Sequence, residues 1–249
     1  MIKIKSVHEV EQMRIAGRIT AETFEVLKEH IKPGITTMEL DKIAAEYISK
    51  NGAACSFYHY NGYPGHICIS VNQEVVHGIP SHARVLHDGD IVSVDIGAMY
   101  GGYHGDAART YAVGEISPEA QRLISVTKQS FFEGMKFAVA GNRLFDISAH
   151  IQAYVEENGY SVVRALVGHG VGKNLHEDPE VPNFGKEGRG PRLVAGMTIA
   201  VEPMVNMGAY KVLTLPDEWT VVTADGKLSA HYENTILITD KGAEILTKC

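Results

Sequence analysis

Cysteine is scarce: Cys55, Cys68 and Cys249 are the only three in 249 residues, and no two form a CxxC pair. A disulfide framework and a thiolate zinc knuckle are excluded on that ground. No apolar run comes near the roughly 18 residues that a bilayer span requires. The opening MIKIKSVHEVEQ alternates charge with isoleucine where a secretion signal needs an unbroken apolar stretch. The expectation is a cytoplasmic protein with no membrane partner. Lysine and arginine form no cluster and the formal charge is −7, which argues against nucleic acid binding as well. What is left, 45% hydrophobic and 21% charged residues, is the balance of an ordinary folded chain. Two residue types are plentiful instead, with 12 histidines and 25 glycines, the latter against a usual share of about 7%. Metal sites use the first and tight backbone turns the second.

The order of elements is helix, helix, strands, helix, helix, strands. Ser6 and Glu9 form a capping box, and Val10, Met13, Gly17, Thr20, Phe24 and Leu27 recur at steps of three and four, predicting a helix to about Glu29. A second helix runs from the Thr36 cap to the Asn51-Gly52 stop, a third from Ser117-Pro118 through Met135, and a fourth through Leu144, Ile147 and Ile151 to Asn158-Gly159. Strands are expected at Ile67–Val71, Ile91–Ile96, about Ser161–Leu166, Met197–Glu202, Tyr210–Leu215 and His231–Ile238. Phe184–Gly196 reads as a loop too short to separate domains. The fold class is α+β, with helices on one face of a largely antiparallel sheet and two halves of similar order.

Acidic side chains on otherwise apolar strands carry the chemistry. Asp95 and Asp106 are placed symmetrically about a reversal at Tyr100-Gly101, which predicts a hairpin with the carboxylates directly opposite, Cβ atoms about 4.5–5.5 Å apart. Like charges that close repel, and a divalent cation is the usual remedy. The bland alternative has one aspartate capping the turn and the other pairing with Arg109. His169 lies in Gly168-His169-Gly170-Val171-Gly172, where the glycines let the backbone approach closely, and His176 follows at a spacing that fits neither HExxH nor a P-loop. Either histidine alone could be a hydrogen-bonded structural imidazole. Glu202 and Glu233 each stand in or at the end of an apolar strand, where unpartnered glutamate is rare. Together Asp95, Asp106, His169, Glu202 and Glu233 offer four carboxylates and one imidazole. That charge balances two divalent cations about 3.5–4 Å apart, and oxygen-rich ligation with one histidine favours Mn, Fe(II) or Co.

HGIP (His77–Pro80), VDIG, GDAARTY, GHGVG, LHEDP, VEPM and YENTI follow one another in the order seen in type I methionine aminopeptidases, and the sequence resembles that family over nearly its whole length. The resemblance implies the pita-bread fold: two pseudo-symmetric halves, a curved, mostly antiparallel sheet covered by helices, and the metals between them, in a single catalytic domain, residues 1–249. Asp106 and Glu233 would then bridge two ions, Asp95 would chelate one, and His169 and Glu202 would serve the other. The implied catalytic residues are His77, His176 and Glu202, with Glu202 moving the proton and the two histidines contacting the scissile peptide.

Tyr63, Cys68 and Trp219 fall where the family lines its methionine pocket. Tyr58 and Tyr60 compete for one further position, and Leu175 stands where an aromatic is often found. The implied substrate is the N-terminal methionine of a nascent polypeptide with a small second residue, handled by a monomer in transient contact with the ribosome. The absence of a zinc-finger extension and the short interval from Glu202 to Glu233 point to the short bacterial kind. Two rivals remain. A prolidase or aminopeptidase P would carry an extra N-terminal domain, for which the stretch before His77 leaves little room, and a metal-free binding protein on the same fold would be expected to lack ligands.

Overall fold

The helix starts form as their caps require. Ser6 and Thr36 each accept from the amide three residues on, while Glu9 and Glu39 return a carboxylate oxygen to the cap amide, at 2.8 and 2.9 Å. A computed structural model describes the whole chain, Met1 to Cys249, and places α1 at Val7–Lys28 and α2 at Thr37–Lys50. Ser117 caps α3 (Pro118–Met135), whose proline occupies the first turn, where no amide partner is needed. Asp146 accepts from the amide of Arg143 at 2.7 Å to start α4 (Leu144–Glu157). All four helices lie where periodicity and caps put them, and none is long and apolar enough to cross a membrane.

Each half has its own core. One cluster of 16 buried residues packs α1 and α2 on the strands Cys68–Val71, Ile91–Tyr100 and Tyr103–Ala112. Another of 20 packs α3 and α4 on the strands of the second half, Thr198–Val201 and Asn234–Thr239 among them. Complete burial of a Leu, Ile or Phe side chain contributes about 1.5–3 kcal/mol, so each layer has its own reason to stay closed. The two meet along a polar seam: Glu233 N–H donates to Ala108 O at 2.9 Å, and Asp106 N–H donates to Thr235 Oγ1 at 3.0 Å.

Three strand readings are corrected. The hairpin reverses at Gly101-Gly102, both at positive φ (58° and 80°), the two-residue turn that matches strand twist. Tyr100 therefore faces Tyr103, Asp95 faces Ala108 and Asp106 faces Gly97, so the two aspartates share a face as diagonal rather than direct neighbours. The strands expected at Ser161–Leu166 and Tyr210–Leu215 shrink to Ser161–Val162 and Val212–Thr214, because only those residues meet a partner strand.

The long C-terminal strand is also broken, into Ser229–His231 and Asn234–Thr239, and Thr198–Val201 is likewise separated from Met204–Asn206. The outer pieces pair with each other and the inner pieces with each other, in two different antiparallel ladders. Pro203, without an amide hydrogen, cannot continue a ladder, which helps place one break. Glu202 and Glu233 stand at these two steps, where the backbone leaves one ladder for the next.

Candidate metal centre

A cavity of about 720 Å³ opens at the seam, and Asp95, Asp106, His169, Glu202, Glu233, His77, His176, Tyr63, Cys68 and Trp219 all line it. These are the ten residues singled out above, brought together from positions spread between Tyr63 and Glu233. His169 lies on a short strand, Gly168–Gly170, pressed against its neighbours. A Cβ on Gly168 would come within 2.4 Å of Ala200 O, and one on Gly170 within 2.1 Å of Asp178 O, so neither position admits a side chain. His169 Nδ1 meets Gly170 O at 2.9 Å, which makes it the protonated nitrogen and leaves Nε2 free. That Nε2 faces Asp106 Oδ2 at 3.7 Å and Glu202 Oε1 at 3.6 Å.

Burial dominates the electrostatics of the carboxylates. Burial, with neighbouring carboxylates, holds the acids of Asp95, Glu202 and Glu233 well above the usual range, and burial pushes Asp106 up to about 7. Burial also depresses His169 to about 3 and His77 to about 4, with the His176 ring adding to both. Eight buried side-chain nitrogen and oxygen atoms have no hydrogen-bond partner, and four belong to this cluster: Asp95 Oδ1, Asp106 Oδ1, Glu233 Oε1 and His231 Nε2. Orphaned buried acceptors are costly and rare. The donor atoms of Asp106, His169 and Glu233 lie within 4.8 Å of one another, as do those of Asp95, His231 and Glu233. A site rich in oxygen donors with unpaired lone pairs fits divalent cations. The Arg109 alternative fails: its guanidinium turns instead to the carbonyls of Ala108 and Glu233 and to Asn234 Oδ1.

Beside the carboxylates the wall becomes apolar. Cys68 faces Asp95 across the Cys68–Val71 and Ile91–Tyr100 strands, so the pocket and the acids share one sheet face. Phe57, Tyr63, Cys68 and Leu175 form a small buried cluster, with Tyr60, Ile79 and Trp219 packed on it. Tyr63 and Trp219 meet edge to face at 5.1 Å, and Tyr63 Oη donates to Gly78 O at 2.8 Å. Asp217 fixes the Trp219 turn by accepting from the amides of Trp219 and Thr220 at 2.9 and 2.8 Å.

The structure places the two tyrosines differently. Tyr60 lines the cavity and bonds His176 Nδ1 at 2.8 Å, whereas Tyr58 is exposed and stacks on His66. Phe57, not singled out from sequence, joins the wall, and so does Leu175. His176 stands at the mouth, its ring 4.2 Å from that of His169. His77 occupies left-handed backbone at φ 59°, an uncommon conformation for a non-glycine residue and one often found at functional sites. His231, also unforeseen, is buried, with its Nε2 3.8 Å from Glu233 Oε2.

Comparison with known proteins gives the family. The model of metallopeptidase family M24 matches residues 11–240. A methionine aminopeptidase of Clostridium acetobutylicum is 60% identical over 249 residues, covering 100% of both chains. The chain belongs to the bacterial type I methionine aminopeptidases. Its activity is the metal-dependent hydrolytic removal of N-terminal methionine, and the architecture is the pita-bread fold. The crystal structure of methionine aminopeptidase from Thermotoga maritima superposes with a TM-score of 0.99 at 46% identity, with 100% of each chain covered. An Xaa-Pro dipeptidase of Bacillus anthracis shares the fold more distantly, with a TM-score of 0.79 and 26% identity. There the match spans 99% of this chain but 62% of the dipeptidase, which is consistent with the extra domain expected of prolidases.

Proposed function

We propose that two divalent ions, drawn from Mn, Fe(II) or Co, are held by Asp95, Asp106, His169, Glu202 and Glu233, and that the substrates are nascent chains whose second residue is small. The observation that carries this reading is the convergence of four carboxylates and one imidazole, three of the carboxylates with an orphaned oxygen, on one cavity with an apolar wall. The four carboxylates would supply the balancing negative charge and His169 a nitrogen donor, with the donor atoms of Asp106, His169 and Glu233 already within 4.8 Å of one another. Bound there, the ions supply the Lewis acidity that makes water a nucleophile near neutral pH.

The remaining work belongs to side chains. Tyr63, Cys68 and Trp219 receive the methionine side chain, where a polarizable thioether gains from aromatic edges and a thiol. His77 and His176 remain neutral at pH 7, because burial lowers both, so each can share a hydrogen bond with the peptide without adding a positive charge beside the ions. With Tyr60 on its Nδ1, His176 has Nε2 available for the substrate. Glu202 takes a proton from the attacking water and passes it to the leaving amine. The protein acts as a cytoplasmic monomer on chains emerging from the ribosome.

Chelator-stripped protein, reloaded with Mn or Co, is the test. Free methionine should be released from Met-Gly-X peptides only after reloading, with two ions per chain at full activity, much more slowly from Met-Leu-X, and not from an Xaa-Pro control. Full activity at one ion per chain would overturn the dinuclear assignment, and equal rates on the two methionyl peptides would overturn the second-residue preference.

A further inference from the structure

His231 ends the Ser229–His231 strand, two residues before Glu233, and is 2% exposed. Its backbone is pinned from both sides by Thr110, whose hydroxyl accepts from His231 N–H at 2.9 Å and donates to His231 O at 2.8 Å. Ser93 Oγ lies 2.8 Å from the same Thr110 oxygen, so both hairpin strands help to fix this backbone. A buried imidazole normally spends both nitrogens on hydrogen bonds, yet His231 Nε2 has no partner.

The nearest acceptor to that nitrogen among its ion-pairing neighbours is Glu233 Oε2 at 3.8 Å, too far for a hydrogen bond. It is not too far for two donors sharing one cation. Donors each about 2.1 Å from a first-row ion stand roughly 3.0–4.2 Å apart. His169 Nε2 keeps 3.6 and 3.7 Å from its own two carboxylates, the same spacing. The donor atoms of Asp95, His231 and Glu233 also fall within 4.8 Å of one another.

We propose that His231 is a sixth ligand of the metal centre, serving the ion held by Asp95 and Glu233 as His169 serves the other. The assignment rests on the dinuclear reading above and extends it: each ion gains one imidazole, one from each of two strands in the second half. A nitrogen donor at both positions raises the preference of the whole centre for Fe(II), Co or Ni over Mg.

The test uses full-length, metal-stripped protein titrated with Co(II) alone, followed by calorimetry, by visible absorption, and by the paramagnetically shifted, exchangeable ring N–H signals of coordinated imidazoles. Wild type at saturation should bind two ions and show two such signals. His231→Gln, which keeps a polar side chain of similar reach, should retain one signal, bind one ion as before and bind the second about 10- to 100-fold more weakly. A folded His231→Gln with the wild-type isotherm and both signals would overturn the assignment while leaving the dinuclear centre standing. Uptake of one ion, or none, by wild type would overturn the dinuclear reading and this assignment together. Should the variant fail to fold, wild type still decides the matter: a single imidazole signal at two bound ions removes His231 from the ligand set.

Discussion

The acids of the centre stand on or at the ends of paired strands, whereas the apolar wall proposed to receive methionine is carried mainly by the irregular stretch from Phe57 to Tyr63 and by a turn at Trp219. In the first region Asp95 and Asp106 are placed by hydrogen-bond register and Glu202 and Glu233 by the breaks between two ladders, and burial of charge makes each costly without a cation. In the second, positive φ at His59 and Asn61 twists the chain and no register constrains it. Strand-borne chemistry should therefore be intolerant of change and turn-borne recognition more forgiving. Glu233→Gln tests the first half of that contrast most severely: kcat/KM on Met-Gly-X peptides should fall about a thousandfold, roughly 4 kcal/mol of transition-state stabilisation. A loss no larger than that of a pocket variant would erase the distinction.

Glu202→Gln should come next, with kcat falling about a hundredfold and KM little changed, because a general acid-base group acts mainly after binding. Steady-state kinetics with saturating metal separate the two parameters, and a change confined to KM would remove Glu202 from proton transfer.

Stability offers a third way to sharpen the comparison. The centre's carboxyls have folded-state values raised by burial, Asp106 to about 7, so what they contribute is present at acid pH and is lost as pH rises through those values. His77, His169 and His231 are lowered, to about 4, 3 and 3, so their contribution is present above the ordinary histidine value of about 6.5 and lost as pH falls. The two trends oppose each other below about pH 6.5. Above it only the carboxyls titrate, and metal-stripped protein should lose about 3 °C or more in Tm between roughly pH 6.5 and 8.5. Metal-loaded protein should be nearly flat across that window. A flat profile for the stripped protein, followed by scanning calorimetry, would mean that the acids are less desolvated than their burial indicates.

The same contrast governs what could be read from sequence. Charge inside β-branched runs is anomalous by itself, so Asp95, Asp106, Glu202 and Glu233 stood out without coordinates, and the caps at Ser6, Thr36 and Ser117 placed three helices. The hairpin register did not follow, because a reversal one residue earlier is equally compatible with that run, and only the paired positive φ values of Gly101 and Gly102 decide it. The steps at Glu202 and Glu233 were invisible as well, since a strand that changes ladders keeps its apolar pattern. His231 carried a faint signal, alternating with Glu233 on one strand, but a buried histidine has a common structural explanation until its Nε2 is seen to be unpaired. For Tyr58 and Tyr60, composition offers no basis for choice, because the fold of the intervening backbone at His59 determines which ring turns inward.

Trp219→Ala should probe the forgiving region. Losing one aromatic edge of the pocket removes apolar contact with the methionine side chain and the stacking on Tyr63, a cost of about 2 kcal/mol or roughly thirtyfold in kcat/KM, mostly in KM. The smallest effect belongs to Tyr60→Phe. The ring still fills the wall, and what disappears is the 2.8 Å bond from Tyr60 Oη to His176 Nδ1. One such bond contributes about 1 kcal/mol net, about fivefold in kcat/KM, because His176 stands at the open mouth where water can replace the lost partner. In the double variant Tyr60→Phe/His176→Ala, the tyrosine change should add almost nothing to the histidine change, since the hydroxyl acts only by orienting that imidazole. Additive losses would instead place the Tyr60 hydroxyl on the substrate itself and move it from the pocket wall into direct recognition of the peptide.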